Sequence, residues 1–211
     1  MLKTIIFDFD GTIADTLDTM LSIYNKIGPI FGYKHLSAKE RDRIRNEKLQ
    51  KLFKEYNISI TKIPFFLFKA LREFNKKIGD VKPKKNIIET IKKLKTNGFN
   101  LGILTSNSEK NVKIFLEKNN ITEIFDFIHS EKNVFGKHKS LKHILSDRKI
   151  KKNEVIYIGD ETRDIEATKK VGIPIIAVCW GFNKKEILAK QNPEYLADKP
   201  DDLIKITSGI R

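Results

Sequence analysis

Short apolar runs alternating with stretches of helical periodicity limit what this chain can fold into more than any other feature. The runs are Thr4–Phe9, Asn100–Leu104, Phe127–His129, Val155–Ile158 and Pro174–Val178. Runs such as Val155-Ile156-Tyr157-Ile158 carry no polar alternation, so they suit strands covered on both faces. Between them lie apolar stripes at helical spacing. Ile87, Ile88, Ile91 and Leu94 form one, stopped at Asn97-Gly98; Val112, Phe115 and Leu116 form the next, and Leu141, Ile144 and Leu145 a third. Asp164 to Lys170 is a fourth, closed by Gly172 and Pro174. Strand and helix in alternation predict an α/β fold, a doubly wound parallel sheet of Rossmann-like type.

One segment breaks the alternation. Residues 15–80 contain no convincing strand. A helix carrying Leu17, Leu21 and Tyr24 runs to Gly28-Pro29. Ser37-Ala38-Lys39-Glu40 then reads as a capping-box start for a charged helix running toward Tyr56. A third helix follows from Ile63 to Ile78, with Pro64 in its first turn. The expected organisation is a core built from residues 1–14 and 81–211, with a small α-helical cap domain, residues 15–80, inserted after the first strand.

A chain of 211 residues is long enough for this arrangement, and 40% hydrophobic against 32% charged residues is ordinary for a globular protein. No apolar run approaches the ~18–20 residues that cross a bilayer. The apolar N-terminus is interrupted by Asp8 and Asp10 and reads as a strand, not a signal peptide. Cys179 is the single cysteine, which excludes an intramolecular disulfide and fits a cytoplasmic protein, monomeric or homodimeric. The net charge of +14 comes mostly from lysines spread from Lys3 to Lys205. Without stacking aromatics interleaved in a basic stripe, that spread argues against nucleic acid and for attraction of a small anionic metabolite.

Four motifs carry the chemistry. Phe7-Asp8-Phe9-Asp10-Gly11-Thr12 follows the first strand, where doubly wound sheets bind ligands, and Gly11 lets backbone amides approach an anion. Gly159-Asp160-Glu161-Thr162-Arg163-Asp164 follows another strand. Asp160 and Asp164, four apart, would share a helical face, and Asp164 would also serve as an N-cap. Asp8, Asp10, Asp160 and Asp164 together would repel one another unless a hard cation such as Mg2+ held them. Thr105-Ser106-Asn107-Ser108, taken alone, is a capping sequence, but its donors could hold phosphate oxygens. Gly136-Lys137 enters a helix, placing a cation that could neutralise a nucleophile and a phosphate. His35, His129, His138 and His143 share no metal-ligand spacing. Trp180-Gly181-Phe182 reads as a loop packed near the site's rim, and Cys179 as a buried small side chain rather than a nucleophile.

In this order the motifs resemble the four motifs of the haloacid dehalogenase superfamily, over nearly the whole chain. Ser106-Asn107 resembles the Thr-Asn of its phosphoglycolate-phosphatase-like members. The resemblance implies that Asp8 is the nucleophile and Asp10 the general acid and base. It implies phosphate binding by Gly11, Ser106 or Thr105, Asn107, and Lys137 with Lys139 as the fallback. It implies Mg2+ held by Asp8, Asp10, Asp160 and Asp164. The expected activity is hydrolysis of a small phosphate monoester through an aspartyl-phosphate, with phosphoglycolate suggested by analogy. Three alternatives stand beside it: a sugar phosphomutase, a polynucleotide-end phosphatase and a non-enzymatic phosphoacceptor signalling domain. The last is usually about half this length and lacks a helical insert after its acidic pair.

Overall fold

The computed structural model describes residues 1–47, 51, 60–131 and 136–210. These build one parallel sheet of six strands: β1 (Thr4–Phe7), β2 (Asn100–Thr105), β3 (Phe127–Ser130), β4 (Val155–Gly159), β5 (Ile175–Val178) and β6 (Tyr195–Ala197). The spatial order is β3-β2-β1-β4-β5-β6, with every neighbouring pair parallel. The described helices are α1 (Leu17–Ile27), α2 (Ala38–Ile44), α3 (Ile63–Lys77), α4 (Ile87–Thr96), α5 (Glu109–Lys118), α6 (Lys137–Asp147), α7 (Thr162–Val171), α8 (Lys185–Ala189) and α9 (Asp201–Gly209). Among the described residues no helix is long and apolar enough to cross a membrane.

Successive strand residues point to opposite faces, and both faces are buried. Ile5, Phe7, Leu101, Ile103, Ile156 and Ile158 pack on one side against Ile87, Ile91 and Leu94 of α4, Val112, Phe115 and Leu116 of α5, and Leu203 of α9. Ile6, Leu104, Val155, Tyr157 and Ile175 pack on the other against Leu141, Ile144 and Leu145 of α6 and Ile165 and Val171 of α7. The helical stripes of the sequence are the faces that close these two layers. Each such side chain contributes about 1.5–3 kcal/mol by leaving water, so truncating one at the centre, Leu94→Ala, would cost about 2–5 kcal/mol.

Strand ends shift by one or two residues from expectation. β1 stops at Phe7 rather than Phe9: Asp8 N still donates to Ile158 O at 2.8 Å, but the chain then turns, with Phe9 O accepting from Ile13 N and Ala14 N. β5 starts at Ile175, because Pro174 has no N–H for the ladder, although its carbonyl accepts from Tyr157 N at 3.0 Å. β6 was not foreseen; three edge residues after Asn192-Pro193 leave too short a pattern to read.

Between β1 and β2 the described residues from 17 to 80 form helices and turns and add no strand to the sheet. The expected capping box is present, with Glu40 N donating to Ser37 Oγ at 3.2 Å and Ser37 N to Glu40 Oε2 at 2.9 Å. The helix it starts ends at Ile44. The remainder of the stretch expected to run toward Tyr56 lies largely outside the described residues. Tyr24, Phe31, Tyr33 and Phe66 pack ring against ring inside this insert. Its Ile23, Ile27, Phe74 and Ile78 continue the first core layer instead of forming a separate one.

Candidate active site

From β1 the chain moves outward to β2 and β3; from β4 it moves outward the other way, to β5 and β6. The carboxyl ends of β1 and β4 therefore flank the topological switch point, where such sheets bind ligands. Phe7 pairs with Ile103 on one side and Ile158 on the other. That register brings Asp8, Thr105 and Asp160 together at the carboxyl end of the sheet.

Asp8, Asp160 and Asp164 are buried, and one carboxylate oxygen from each lies within 4.8 Å of the others. The Lys137 ammonium, also buried, donates to Asp8 Oδ2 at 2.8 Å and to Asp164 Oδ1 at 2.5 Å. Three carboxylates around one ammonium leave an excess of negative charge, so the donor set fits a hard dication. The same excess appears in the titration of the groups. Burial raises the Asp8 carboxyl to about 6, with Lys137 pulling it back. Burial, then the Asp8 charge, pushes Asp160 well up. Burial alone would lower Lys137, but the Asp164 and Asp8 carboxylates outweigh it and hold the ammonium well above its ordinary value. Lys139 is exposed, so the lysine at this centre is Lys137.

Asp10, expected as a fourth carboxylate of the cluster, stands outside it. Its two oxygens accept from Asn107 Nδ2 at 3.2 Å each, an arrangement that turns them toward β2's loop rather than the other aspartates. Burial, then the Asp8 charge, raises it to about 7. A carboxyl poised there can give and take a proton near neutral pH. Asp164 is not the N-cap of α7. Glu161 is, and Asp164 at the third helical position accepts from Glu161 N at 3.0 Å through the oxygen not used by Lys137.

Asp160 is held from three sides. Thr12 Oγ1 donates to its Oδ1 at 2.8 Å and Phe182 N to its Oδ2 at 2.6 Å. Gly11, at φ +79°, and Gly181 approach so closely that a Cβ on either would collide with the carboxylate. The Trp180–Phe182 loop is thus part of the site's framework rather than its rim; Trp180 Nε1 also donates to Thr12 O at 3.1 Å. Arg45 of the insert donates to Phe182 O at 3.0 Å and Gly181 O at 2.9 Å, and its own carbonyl accepts from Lys184 N. Thr12 and Phe182 could have been suspected from lying at strand carboxyl ends. Nothing in the sequence marks Arg45.

In the loop after β2, Thr105 is buried and its Oγ1 accepts from Asn107 N at 2.9 Å, whereas Ser106 is only half-buried. Ser108 caps α5 by accepting from Asn111 N. Cys179 is half-buried, not buried. Burial and the neighbouring Asp198 push its thiol up to about 11, which makes it a poor nucleophile.

A family model described as haloacid dehalogenase-like hydrolase matches residues 5–178. The chain is 30% identical over 213 residues to a phosphoglycolate phosphatase of Synechococcus elongatus, covering 99% of both. It is 26% identical over 216 residues to the pyrophosphatase PpaX of Bacillus mycoides, covering 99% of this chain and 98% of that one. A haloacid dehalogenase-like hydrolase structure from Streptococcus pneumoniae superposes with a TM-score of 0.83 at 22% identity, covering 98% of each chain, and so shares the fold.

Proposed function

The chain belongs to the haloacid dehalogenase-like hydrolases, and we propose that within that family it is a Mg2+-dependent phosphatase of a small anionic phosphate monoester, with phosphoglycolate the first candidate. The observation that carries this reading is the buried Asp8 carboxylate, paired with Lys137 inside a carboxylate triad and next in sequence but one to Asp10. Full-length similarity to a phosphoglycolate phosphatase supports the substrate class.

Asp8, Asp160 and Asp164 would hold the cation, which when bound supplies charge neutralisation to the phosphoryl group. The residues do the rest. Asp8 attacks phosphorus in line while Asp10 gives its proton to the departing alkoxide, so the P–O ester bond breaks as the aspartyl-phosphate forms. Asp10 then takes a proton from water as that water attacks the same phosphorus, releasing phosphate and restoring Asp8. Lys137 offsets charge on the nucleophile and on the phosphoryl oxygens. Ser106 and Asn107 bind those oxygens; Ser106 is preferred to Thr105 because it is the more exposed of the two hydroxyls, Thr105 being buried. Residues 15–80 act as a cap that excludes water and selects the leaving group, linked by Arg45 to the Trp180–Phe182 loop that supports Asp160.

The test is a turnover panel with MgCl2 or chelator over phosphoglycolate, pyrophosphate, glycerol 3-phosphate and hexose phosphates. Release of phosphate from phosphoglycolate, lost on chelation, is expected. Preference for pyrophosphate would replace the substrate, and unchanged turnover in chelator would contradict the metal requirement.

A further inference from the structure

We propose that Asn111 is a positioning residue for Asp10, acting through Asn107, and that Asn75 of the insert sets Asn111 in turn; this rests on the proton-transfer role given to Asp10 above. An amide presents acceptors on one end and donors on the other, so its orientation is readable from its partners. Asn107 Oδ1 accepts from Ser108 N at 2.9 Å and from Asn111 Nδ2 at 2.9 Å. Both of its lone pairs are taken, and the NH2 end is therefore the one that faces Asp10.

Asn111 lies on α5, one turn after Asn107, and is 1% exposed. Its Nδ2 has two hydrogens and two acceptors, Asn107 Oδ1 and Asn75 Oδ1, the latter at 2.6 Å. Rotating the Asn111 amide by half a turn would set oxygen against oxygen at both contacts, a cost that water cannot relieve at the buried one. Orientation thus passes from Asn75 on α3 to Asn111, to Asn107 and to the two oxygens of Asp10. Asn75 and Asn111 do not touch the reacting atoms. Their effect is to keep the Asp10 carboxyl turned so that one oxygen meets the leaving group.

Proton donation matters for a poor alkoxide leaving group and little for a nitrophenolate, which separates misplacement of Asp10 from general loss of folded enzyme. The experiment measures kcat and KM on phosphoglycolate, glycerol 3-phosphate and 4-nitrophenyl phosphate for wild type, Asn111→Leu, Asn75→Ala and Asn75→Asp. Asn111→Leu keeps the volume and removes the donors. Its kcat on the alkyl esters should fall about tenfold or more, with the aryl ester changed by less than about twofold and KM values kept. Asn75→Ala should show the same split more weakly, and Asn75→Asp, which retains an acceptor, should restore the wild-type ratio. Asn75 is exposed, so its variants report even where Asn111→Leu does not fold. Equal losses on alkyl and aryl esters, or no split in Asn75→Ala, would overturn the proposal while leaving an active wild type and the phosphatase reading intact. A wild type inactive on all three esters would overturn both.

Discussion

The Lys137 ammonium lies 2.8 Å from the Asp8 carboxylate, and both groups are almost wholly out of water. They stand 129 residues apart in sequence and meet because α6 starts beside the carboxyl end of β1. Removing the cation would leave Asp8 and Asp164 as buried, uncompensated charges. Lys137→Met should therefore destabilise the chelated protein by about 3–5 kcal/mol and lower turnover by about 10²-fold or more. Chemical unfolding and steady-state kinetics check the two effects separately. Wild-type turnover in that variant would remove Lys137 from the mechanism.

Gly181 tests the framework around Asp160. A Cβ there meets the Asp160 side chain, which cannot retreat while Thr12 and Phe182 N hold its oxygens. Gly181→Ala should weaken Mg2+ binding about tenfold or more, as losses of outer-shell support do, with the fold kept. Calorimetric titration measures it. Unchanged affinity would show that the loop is free to move aside.

The two aspartate motifs and five of the six strands were legible because they rest on local pattern: short apolar runs, two of them followed by carboxylates at the places where such sheets bind ligands. Tyr195–Ala197 was not, because an edge strand of three residues has no period to detect. The placement of the Asp10 side chain was not legible either, for a different reason. Spacing places Asp8 and Asp10 at one strand end, but only the tertiary contact with Asn107 decides that Asp10 leaves the carboxylate cluster. Arg45 and Asn111 were invisible for the same cause: each acts through a partner that is remote in sequence or a turn away on a helix, and neither belongs to a motif.

Asp8, raised to about 6, and Asp10, raised to about 7, make stability depend on pH. A carboxyl whose folded value lies above its unfolded value favours the folded state fully below the unfolded value, and that contribution is lost as pH rises through the folded one. The melting temperature of chelated protein should thus fall between about pH 4 and pH 7. Asp10→Asn should flatten part of that fall. If the ionised cluster takes Mg2+ as proposed, MgCl2 should raise the melting temperature more at about pH 8 than at about pH 5. Equal gains at both pH values would contradict the assignment of these carboxylates to the cation.

Arg45 joins the insert to the loop that supports Asp160. If residues 15–80 cap the site, losing two hydrogen bonds of roughly 0.5–1.5 kcal/mol each lowers the population of the closed form and weakens apparent affinity in proportion. Arg45→Ala should raise KM for phosphoglycolate about tenfold with a smaller change in kcat. An unchanged KM would argue that the insert does not gate the site.

The most direct measurement of the central claim is acid-quenched turnover with labelled substrate, followed by mapping of the modified peptide. The label should sit on Asp8. Asp8→Asn should give neither label nor turnover. Asp10→Asn should still accept label from 4-nitrophenyl phosphate and release it slowly, since proton transfer is commonly worth ~10²–10⁴-fold. Label on Asp10, a histidine or Cys179, or turnover retained in Asp8→Asn, would contradict the account.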